Sequence, residues 1–202
     1  VRKRHPGVPL FLLGESMGGA VIMTAMAGPQ PPAVDGVVLA APAVWGRASM
    51  PWYQTTALWL AVHTLPSGQV TGRNLGIKPS DNIEMLKGLG RDPLVIKQSR
   101  IDTVYGLVNL MDRAMVSASS LHVPALVLYG ARDQLIPPAA VREMTERLPA
   151  DAQGRRRVVY YANGYHMLLR DLQAETVWRD VASWIADPRA PLPSGAEERA
   201  AR

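Results

Sequence analysis

The sequence predicts an α/β fold in which helices flank a parallel sheet and a helical segment is inserted between strands. An apolar run at 10–13 is followed by a Gly-x-Ser-x-Gly turn and a helical pattern at 17–27. A second buried strand at 35–42 completes a strand–helix–strand unit within about 35 residues, an order that favours parallel pairing. The next buried strand, at 123–130, comes about 80 residues later, too far for a simple crossover. The gap therefore predicts an inserted segment.

The turn between the first strand and the first helix is Gly14-Glu15-Ser16-Met17-Gly18. This pattern fits a nucleophile elbow, in which a serine on a sharp strand-to-helix turn projects its hydroxyl above the sheet. We expect Gly14 and Gly18 to be required, because side chains there would collide where the strand and the helix approach each other. The simpler alternative is a glycine-rich turn whose serine only caps the helix.

The inserted segment contains the most aromatic stretch of the chain, a helical pattern at 51–63. Trp52, Trp59 and Leu60 fall on one face of this predicted helix. Two interpretations remain open: a cap helix packed on the body of the protein, or a lid that lines an acyl tunnel and touches a lipid surface. Further helical patterns in the inserted segment lie at 82–88, 93–99 and 101–117.

After the insertion, the alternation of strands and helices resumes. The strand at 123–130 is followed by a helix, a strand and an amphipathic final helix at 139–148, 155–161 and 168–185. From residue 187 the composition shifts to proline, alanine, glycine and charge, which predicts a disordered tail. We therefore divide the chain into a core, a helical cap and a tail, at 1–42 with 121–186, at 43–120 and at 187–202.

The composition excludes several classes of protein. The 202 residues include no cysteine, which rules out a disulfide scaffold and thiolate catalysis. The net charge of +5 comes from 22 Lys and Arg against 17 Asp and Glu. No basic stripe is interleaved with aromatic residues, so we expect no nucleic-acid partner. No apolar run reaches the roughly 18 residues of a membrane span. We expect a cytoplasmic protein whose positive charge favours peripheral contact with anionic lipids.

Three candidate catalytic residues each follow a predicted strand, in the order Ser16, Asp133, His166. This is the order of a nucleophile, an acid and a base built at strand ends. We expect His166 to take the proton of Ser16, while Asp133 fixes the tautomer and orientation of the imidazole. The backbone N–H of Met17, which follows the serine and opens the helix, is the expected oxyanion donor. Alternative acids lie at Asp151 and Asp171.

Segments 12–19, 129–137 and 164–168 carry Gly-Glu-Ser-Met-Gly-Gly, Ala-Arg-Asp-Gln and Gly-Tyr-His. Together they resemble the monoacylglycerol lipase and lysophospholipase group of α/β-hydrolases, of the serine aminopeptidase S33 type. The resemblance implies hydrolysis of single-chain lipid esters, a cap between strands and no metal or organic cofactor. We assign substrate contacts to Trp52, Trp59, Leu60 and Ile136.

The chain departs from this family pattern in two ways. Glu15 stands where relatives often carry histidine. The N-terminal half, which in the family supplies the first strands and a His-Gly loop with a second oxyanion N–H, is absent. The strand at 10–13 would then be an open apolar edge, so we expect a truncated version of a protein of about 300 residues, poorly stable and weakly active or inactive.

Two other functions remain open at this stage. A general carboxylesterase, a thioesterase or a cofactor-free haloperoxidase can use the same three residues. A catalytically impaired scaffold could instead act as a binding protein. The expected partner is a small-molecule lipid ester, with peripheral membrane contact through the cap, and the oligomeric state stays undetermined.

Overall fold

The computed structural model describes residues 1–72, 76–151 and 153–198. Its strands are β1 (Phe11–Glu15), β2 (Gly36–Ala40), β3 (Gln69–Val70), β4 (Ser99–Arg100), β5 (Ala125–Gly130), β6 (Arg157–Tyr161) and β7 (Glu197–Glu198). Its α-helices are α1 (Met17–Met26), α2 (Trp52–Thr64), α3 (Ile83–Arg91), α4 (Ile101–Ser117), α5 (Pro138–Arg147) and α6 (Ala174–Ala186).

The main sheet has the strand order β1-β2-β5-β6-β7. The first four strands are parallel, and β7 runs antiparallel to β6. The sequence predicted these four parallel strands and the helix after the first of them. The long insertion lies between β2 and β5, which are adjacent in the sheet. The carboxyl ends of β1, β5 and β6 therefore lie along one edge of the sheet, where ligands of open α/β sheets bind.

Helices cover both faces of the sheet, which is why β2 and β5 are buried along their whole length. Val37 and Leu39 pack on the face covered by α1, α4 and α5, whereas Val38 and Ala40 pack on the face covered by α6. This alternation follows from the two-residue period of a strand. Trp184 of α6 is fully buried beneath the second face.

Strand β1 lies at the edge of the sheet. Within the described residues it pairs only with β2, from Phe11 opposite Gly36 to Glu15 opposite Ala40. The side chain of Leu13 in this strand is 50% exposed. An apolar parallel strand with one unpaired side is the open edge that the sequence predicted.

The inserted segment is divided between the core and the surface. Helix α4 buries Val108, Ala114 and Met115, and the last two join the core cluster that contains α1. Helix α2 buries none of its side chains. The sequence assigned all of 43–120 to a cap, but the second half of α4 is part of the core because it packs directly on α1.

Residues 92–97 form an apolar turn, so the helix predicted at 93–99 was wrong. The Asp92 side chain accepts the Leu94 N–H at 2.8 Å, which bends the chain away from a helix. The Lys97 ammonium then fixes the turn by donating to three backbone carbonyls. These belong to Leu89, Asp92 and Val95. The side chains of Leu94 and Ile96 are consequently 89% and 81% exposed.

The final helix begins later than predicted. The sequence suggested a helix from residue 168, whereas α6 begins at Ala174. Residues 168–173 form turns, because the Asp171 carboxylate accepts the Tyr165 N–H at 2.7 Å and folds the chain back on itself.

The segment after α6 also differs from the disordered tail expected from residue 187. Leu192 is buried against α6. Ser194 donates to the Asp180 carboxylate through its backbone N–H at 2.9 Å and its hydroxyl at 2.5 Å. These polar contacts offset the conformational entropy that the segment loses when it becomes ordered. Residues 199–202 of the predicted tail lie outside the described part of the chain.

Candidate active site

Ser16 occupies the turn between β1 and α1 in a strained backbone conformation, with φ 53° and ψ −117°. Its backbone N–H donates to the Ala40 carbonyl at 2.8 Å, and its carbonyl accepts from Gly19 N at 3.0 Å and Ala43 N at 2.9 Å. A non-glycine residue in such a conformation costs about 1–3 kcal/mol and persists only where its surroundings determine it. These bonds hold the serine above the carboxyl end of the sheet.

The elbow needs glycine at Gly14 and Gly19, not at Gly14 and Gly18 as expected. A Cβ at Gly14 would lie 2.5 Å from the backbone carbonyl of Gly18. At Gly18 a Cβ would meet nothing within 4 Å. A Cβ at Gly19 would lie 2.9 Å from Pro42 Cβ. The backbone of Gly18 thus packs against Gly14, but the helix position with no room for a Cβ is Gly19, which faces Pro42 in the loop after β2.

Asp133 lies in the loop after β5 with its side chain fully buried. Its Oδ1 accepts the backbone N–H groups of Leu135 at 2.7 Å and Ile136 at 3.0 Å. These two bonds leave Oδ2 directed at His166. The carboxylate is thereby fixed in one orientation before it contacts the imidazole.

His166 joins Asp133 to Ser16. Its Nδ1 lies 2.8 Å from Asp133 Oδ2, and its Nε2 lies 2.8 Å from Ser16 Oγ. With Nδ1 protonated, the imidazole donates to the carboxylate and accepts from the serine hydroxyl. The imidazole is buried, so water competes little for either bond. The structure thus brings together the three side chains selected from the sequence, and the alternatives Asp151 and Asp171 contact other groups.

Met17 is the first residue of α1. Its backbone N–H therefore has no acceptor within the helix. It follows Ser16 directly and lies at the positive end of the helix dipole, where a developing negative charge is stabilised.

The residues assigned to substrate contact separate into three locations. Trp59 lines a cavity of about 360 Å³. Trp52 and Leu60 are exposed on α2, and Trp52 is 78% exposed. Ile136 is instead buried in the core, where its carbonyl accepts the Tyr129 hydroxyl at 2.6 Å. The cavity is completed by Arg47, Thr55, Thr56 and Tyr105.

The sequence did not identify Arg47 as part of this region. Its guanidinium lies 4.8 Å from the centre of the Tyr105 ring and forms an ion pair with Asp112. Asp112 also accepts the Arg47 backbone N–H at 2.6 Å. These partners lie more than fifty residues away along the chain, so no local pattern could have indicated the contact.

Glu15 is a half-buried carboxylate beside the elbow. Its Oε1 accepts the Leu169 N–H at 3.4 Å. Burial raises the pKa of the Glu15 carboxyl and the charge of Asp171 adds to the rise, while the Leu169 hydrogen bond and the charge of Arg170 oppose it. The ionised form is therefore less favourable in the folded protein than in the unfolded chain.

No group of three or more histidine and acidic side chains suited to a metal ion occurs in residues 1–72, 76–151 or 153–198.

The glycine contacts predict opposite outcomes for two neighbouring substitutions. Gly14→Ala should destabilise the protein by about 3 kcal/mol or more, because the added carbon meets rigid backbone. Gly18→Ala should change the free energy of unfolding by no more than about 1 kcal/mol, since the site is open and helical. Chemical denaturation of both variants measures the difference. Equal destabilisation would contradict this description of the elbow.

The position of Glu15 predicts a pH-dependent gain in stability for Glu15→Gln. A carboxyl whose folded pKa is raised contributes stability below its unfolded pKa and loses it as pH rises through the folded value. Glu15→Gln should therefore have a higher melting temperature than the unmodified chain at pH 7, and the difference should narrow towards pH 4. The exposed Glu84→Gln is the matched control. A lower melting temperature for Glu15→Gln at pH 7 would disprove the argument.

The sequence profile of the serine aminopeptidase S33 family matches residues 1–173. Human monoglyceride lipase is 29% identical over 201 residues, covering 94% of this chain and 62% of the human protein. The monoacylglycerol lipase of Mycolicibacterium smegmatis is 27% identical over 192 residues, covering 90% of this chain and 63% of that protein. The chain thus spans less than two thirds of these relatives.

Solved structures show the same architecture. The monoacylglycerol lipase of Paleococcus ferrophilus superposes with a TM-score of 0.72 at 25% identity, covering 92% of this chain and 71% of that one. A soluble variant of Saccharomyces cerevisiae monoglyceride lipase, in complex with a substrate analogue, superposes with a TM-score of 0.68 at 17% identity. The match covers 90% of this chain and 66% of the yeast one. The fold is that of the α/β-hydrolases. As the three sequence motifs predicted, the chain belongs to the serine aminopeptidase S33 family.

Proposed function

We propose that this chain carries the catalytic residues of a serine hydrolase that cleaves carboxylic esters of single-chain lipids, such as monoacylglycerols or lysophospholipids. The observation that carries the proposal is the hydrogen-bond chain from Ser16 Oγ through His166 to Asp133, with both links at 2.8 Å. A buried serine–imidazole–carboxylate chain activates a hydroxyl that is otherwise a weak nucleophile.

In the proposed reaction, Ser16 Oγ attacks the ester carbonyl carbon as its proton passes to His166 Nε2. Asp133 stabilises the imidazolium through Nδ1–H. The negative oxygen of the tetrahedral intermediate accepts a hydrogen bond from the Met17 N–H. When the intermediate collapses, His166 returns the proton to the departing alcohol and the acyl group stays on Ser16. A water molecule, deprotonated by His166, then releases the fatty acid.

A lipid substrate is supported by the apolar surface of the inserted segment. Trp52 and Leu60 are exposed on α2, and Trp59 lines the cavity beside them. Exposed aromatic and aliphatic groups of this kind suit an acyl chain better than a compact polar ester. The human and Mycolicibacterium smegmatis relatives are both named as lipases of monoacylglycerols.

Covalent labelling tests the nucleophile. A fluorophosphonate probe should label the unmodified chain and fail to label Ser16→Ala, because the probe reacts only with an activated serine. Asp133→Asn should slow labelling by about 10³–10⁴-fold, since the wrong imidazole tautomer is then favoured. The exposed Ser119→Ala is the control and should label normally. A rate for Asp133→Asn equal to that of the unmodified chain would contradict the proposed mechanism.

A substrate series then tests the lipid class. Hydrolysis should be at least tenfold faster for long-chain monoacylglycerols or lysophosphatidylcholine than for p-nitrophenyl acetate. Equal hydrolysis rates for all the substrates, or a faster rate for the short ester, would instead favour a general carboxylesterase.

We also propose that the apolar turn at 92–97 rests on a lipid surface. In the described part of the chain, no helix has the length and hydropathy needed to cross a bilayer. Leu94 and Ile96 nevertheless project into solvent from a turn that Lys97 fixes. Burial of one such side chain contributes about 1.5–3 kcal/mol, so two are enough for a measurable, reversible association. The overall charge of +5 favours anionic headgroups.

Vesicle binding tests this surface. The double variant Leu94→Ser/Ile96→Ser should reduce co-sedimentation with phosphatidylglycerol–phosphatidylcholine vesicles by tenfold or more, because about 3 kcal/mol or more of apolar burial is lost. Hydrolysis of a soluble ester should not change. Val116→Ser, on the exposed side of α4, serves as the matched control. Unchanged vesicle binding by the double variant would exclude this surface.

A further inference from the structure

Residues 78–82, just before α3, connect the inserted segment to both loops that carry the proposed acid and base. We call them the junction segment. Five hydrogen bonds of 2.6–3.0 Å link it to those loops. They are Lys78 N to Gln134 Oε1, Met167 N to Pro79 O, Ser80 Oγ to Asp171 Oδ1, Asn82 Nδ2 to Arg170 O and Leu172 N to Asp81 Oδ1.

Asp171 is the centre of this junction. Its Oδ1 accepts the Ser80 hydroxyl at 2.6 Å, and its Oδ2 accepts the backbone N–H of Tyr165 at 2.7 Å. Tyr165 is the residue immediately before His166. A single carboxylate thus joins the inserted segment to the backbone that carries the imidazole. Hydrogen bonds to a carboxylate are among the strongest and most directional in proteins.

Both residues of the central bond are shielded from water. Ser80 is fully buried and Asp171 is 6% exposed. The Ser80 oxygen also accepts the Asn82 N–H at 3.1 Å, which ties it to the start of α3. Burial raises the pKa of Asp171, and the bonds from Ser80 and Tyr165 oppose that rise. A buried carboxylate with fixed donors resists displacement, because any shift would leave it unsatisfied.

The remaining attachment of the histidine loop to the elbow is weaker. Glu15 Oε1 reaches Leu169 N at 3.4 Å, a long hydrogen bond. The Met167 N–H, directly after His166, bonds to the junction segment at Pro79 O. The residues on both sides of the histidine are therefore held by groups that lead to the inserted segment.

We propose that Asp171 and Ser80 are positioning residues for His166, so that the inserted segment holds the imidazole in hydrogen-bonding reach of Ser16. Neither residue touches the reacting atoms, and both act through the backbone of Tyr165. This inference rests on the proposed roles of Ser16 and His166. A displacement of about 1 Å at a catalytic group can lower the rate by about 10²-fold. Fixing the backbone beside His166 should therefore affect the reaction rate.

The rate of fluorophosphonate labelling of Ser16 tests the proposal without requiring a known substrate. Asp171→Asn, which retains one acceptor, should slow labelling by tenfold or more. Ser80→Ala, which changes no charge, should lower the plateau of the pH–rate profile about threefold to tenfold and leave its midpoint unchanged. All rates are measured well below the melting temperature of each variant.

Asp180→Asn is the matched control. Asp180 is also a buried aspartate with hydroxyl and backbone donors, but its partners are Tyr161 at the end of β6 and Ser194 after α6. The Asp180→Asn variant should have a lower melting temperature but a labelling rate within about twofold of that of the unmodified chain. If Asp171→Asn does not fold, the milder Ser80→Ala decides the question.

The outcomes are distinguishable. Wild-type labelling rates in Asp171→Asn and Ser80→Ala would overturn the positioning role and leave the proposed function standing. Equal slowing by Asp180→Asn would also overturn it, since general loosening would then explain the effect. If the unmodified chain is not labelled at all, the proposed function fails, and the positioning role fails with it.

Discussion

The backbone of Ser16 determines how the rest of the site is arranged. One residue in a strained conformation is bonded to the end of β2 through Ala40, to α1 through Gly19 and to the next loop through Ala43. The glycine at Gly14 allows the helix to come this close. Because the hydroxyl is fixed by backbone geometry, the imidazole has to be brought to it. The structure does this with two loops that follow neighbouring parallel strands.

Different parts of the inserted segment differ in how they contact the rest of the protein. Helix α4 completes the hydrophobic core against α1, whereas no side chain of α2 is buried. The junction segment binds the loops beside Asp133 and His166. The apolar turn presents Leu94 and Ile96 to solvent. A helix of nine residues, α3, is all that separates the junction segment from that turn. The surface proposed to meet lipid and the segment proposed to position the base are thus parts of one continuous stretch of chain, residues 78–97.

The sequence predicted those features whose signals are local. Four parallel strands, the elbow and the order Ser16, Asp133, His166 follow from apolar runs and from polar residues at strand ends. The apolar turn was missed because the carbonyls that Lys97 caps are visible only in three dimensions. The tail was misjudged because composition does not reveal a buried acceptor such as Asp180. The sequence did not indicate the contact between Ser80 and Asp171, because 91 residues separate them.

These separations also bear on how the chain folds. The unit β1–α1–β2 is formed from residues close in sequence, so its elbow can form early. The bond between Ser16 and His166 closes a span of 150 residues, and such closures carry a large entropy cost that later contacts must offset. A partly folded chain could therefore hold its serine in the right turn and still leave it unreactive. Reactivity of Ser16 would in this sense report that β5 and β6 have joined the sheet and brought their loops to the elbow.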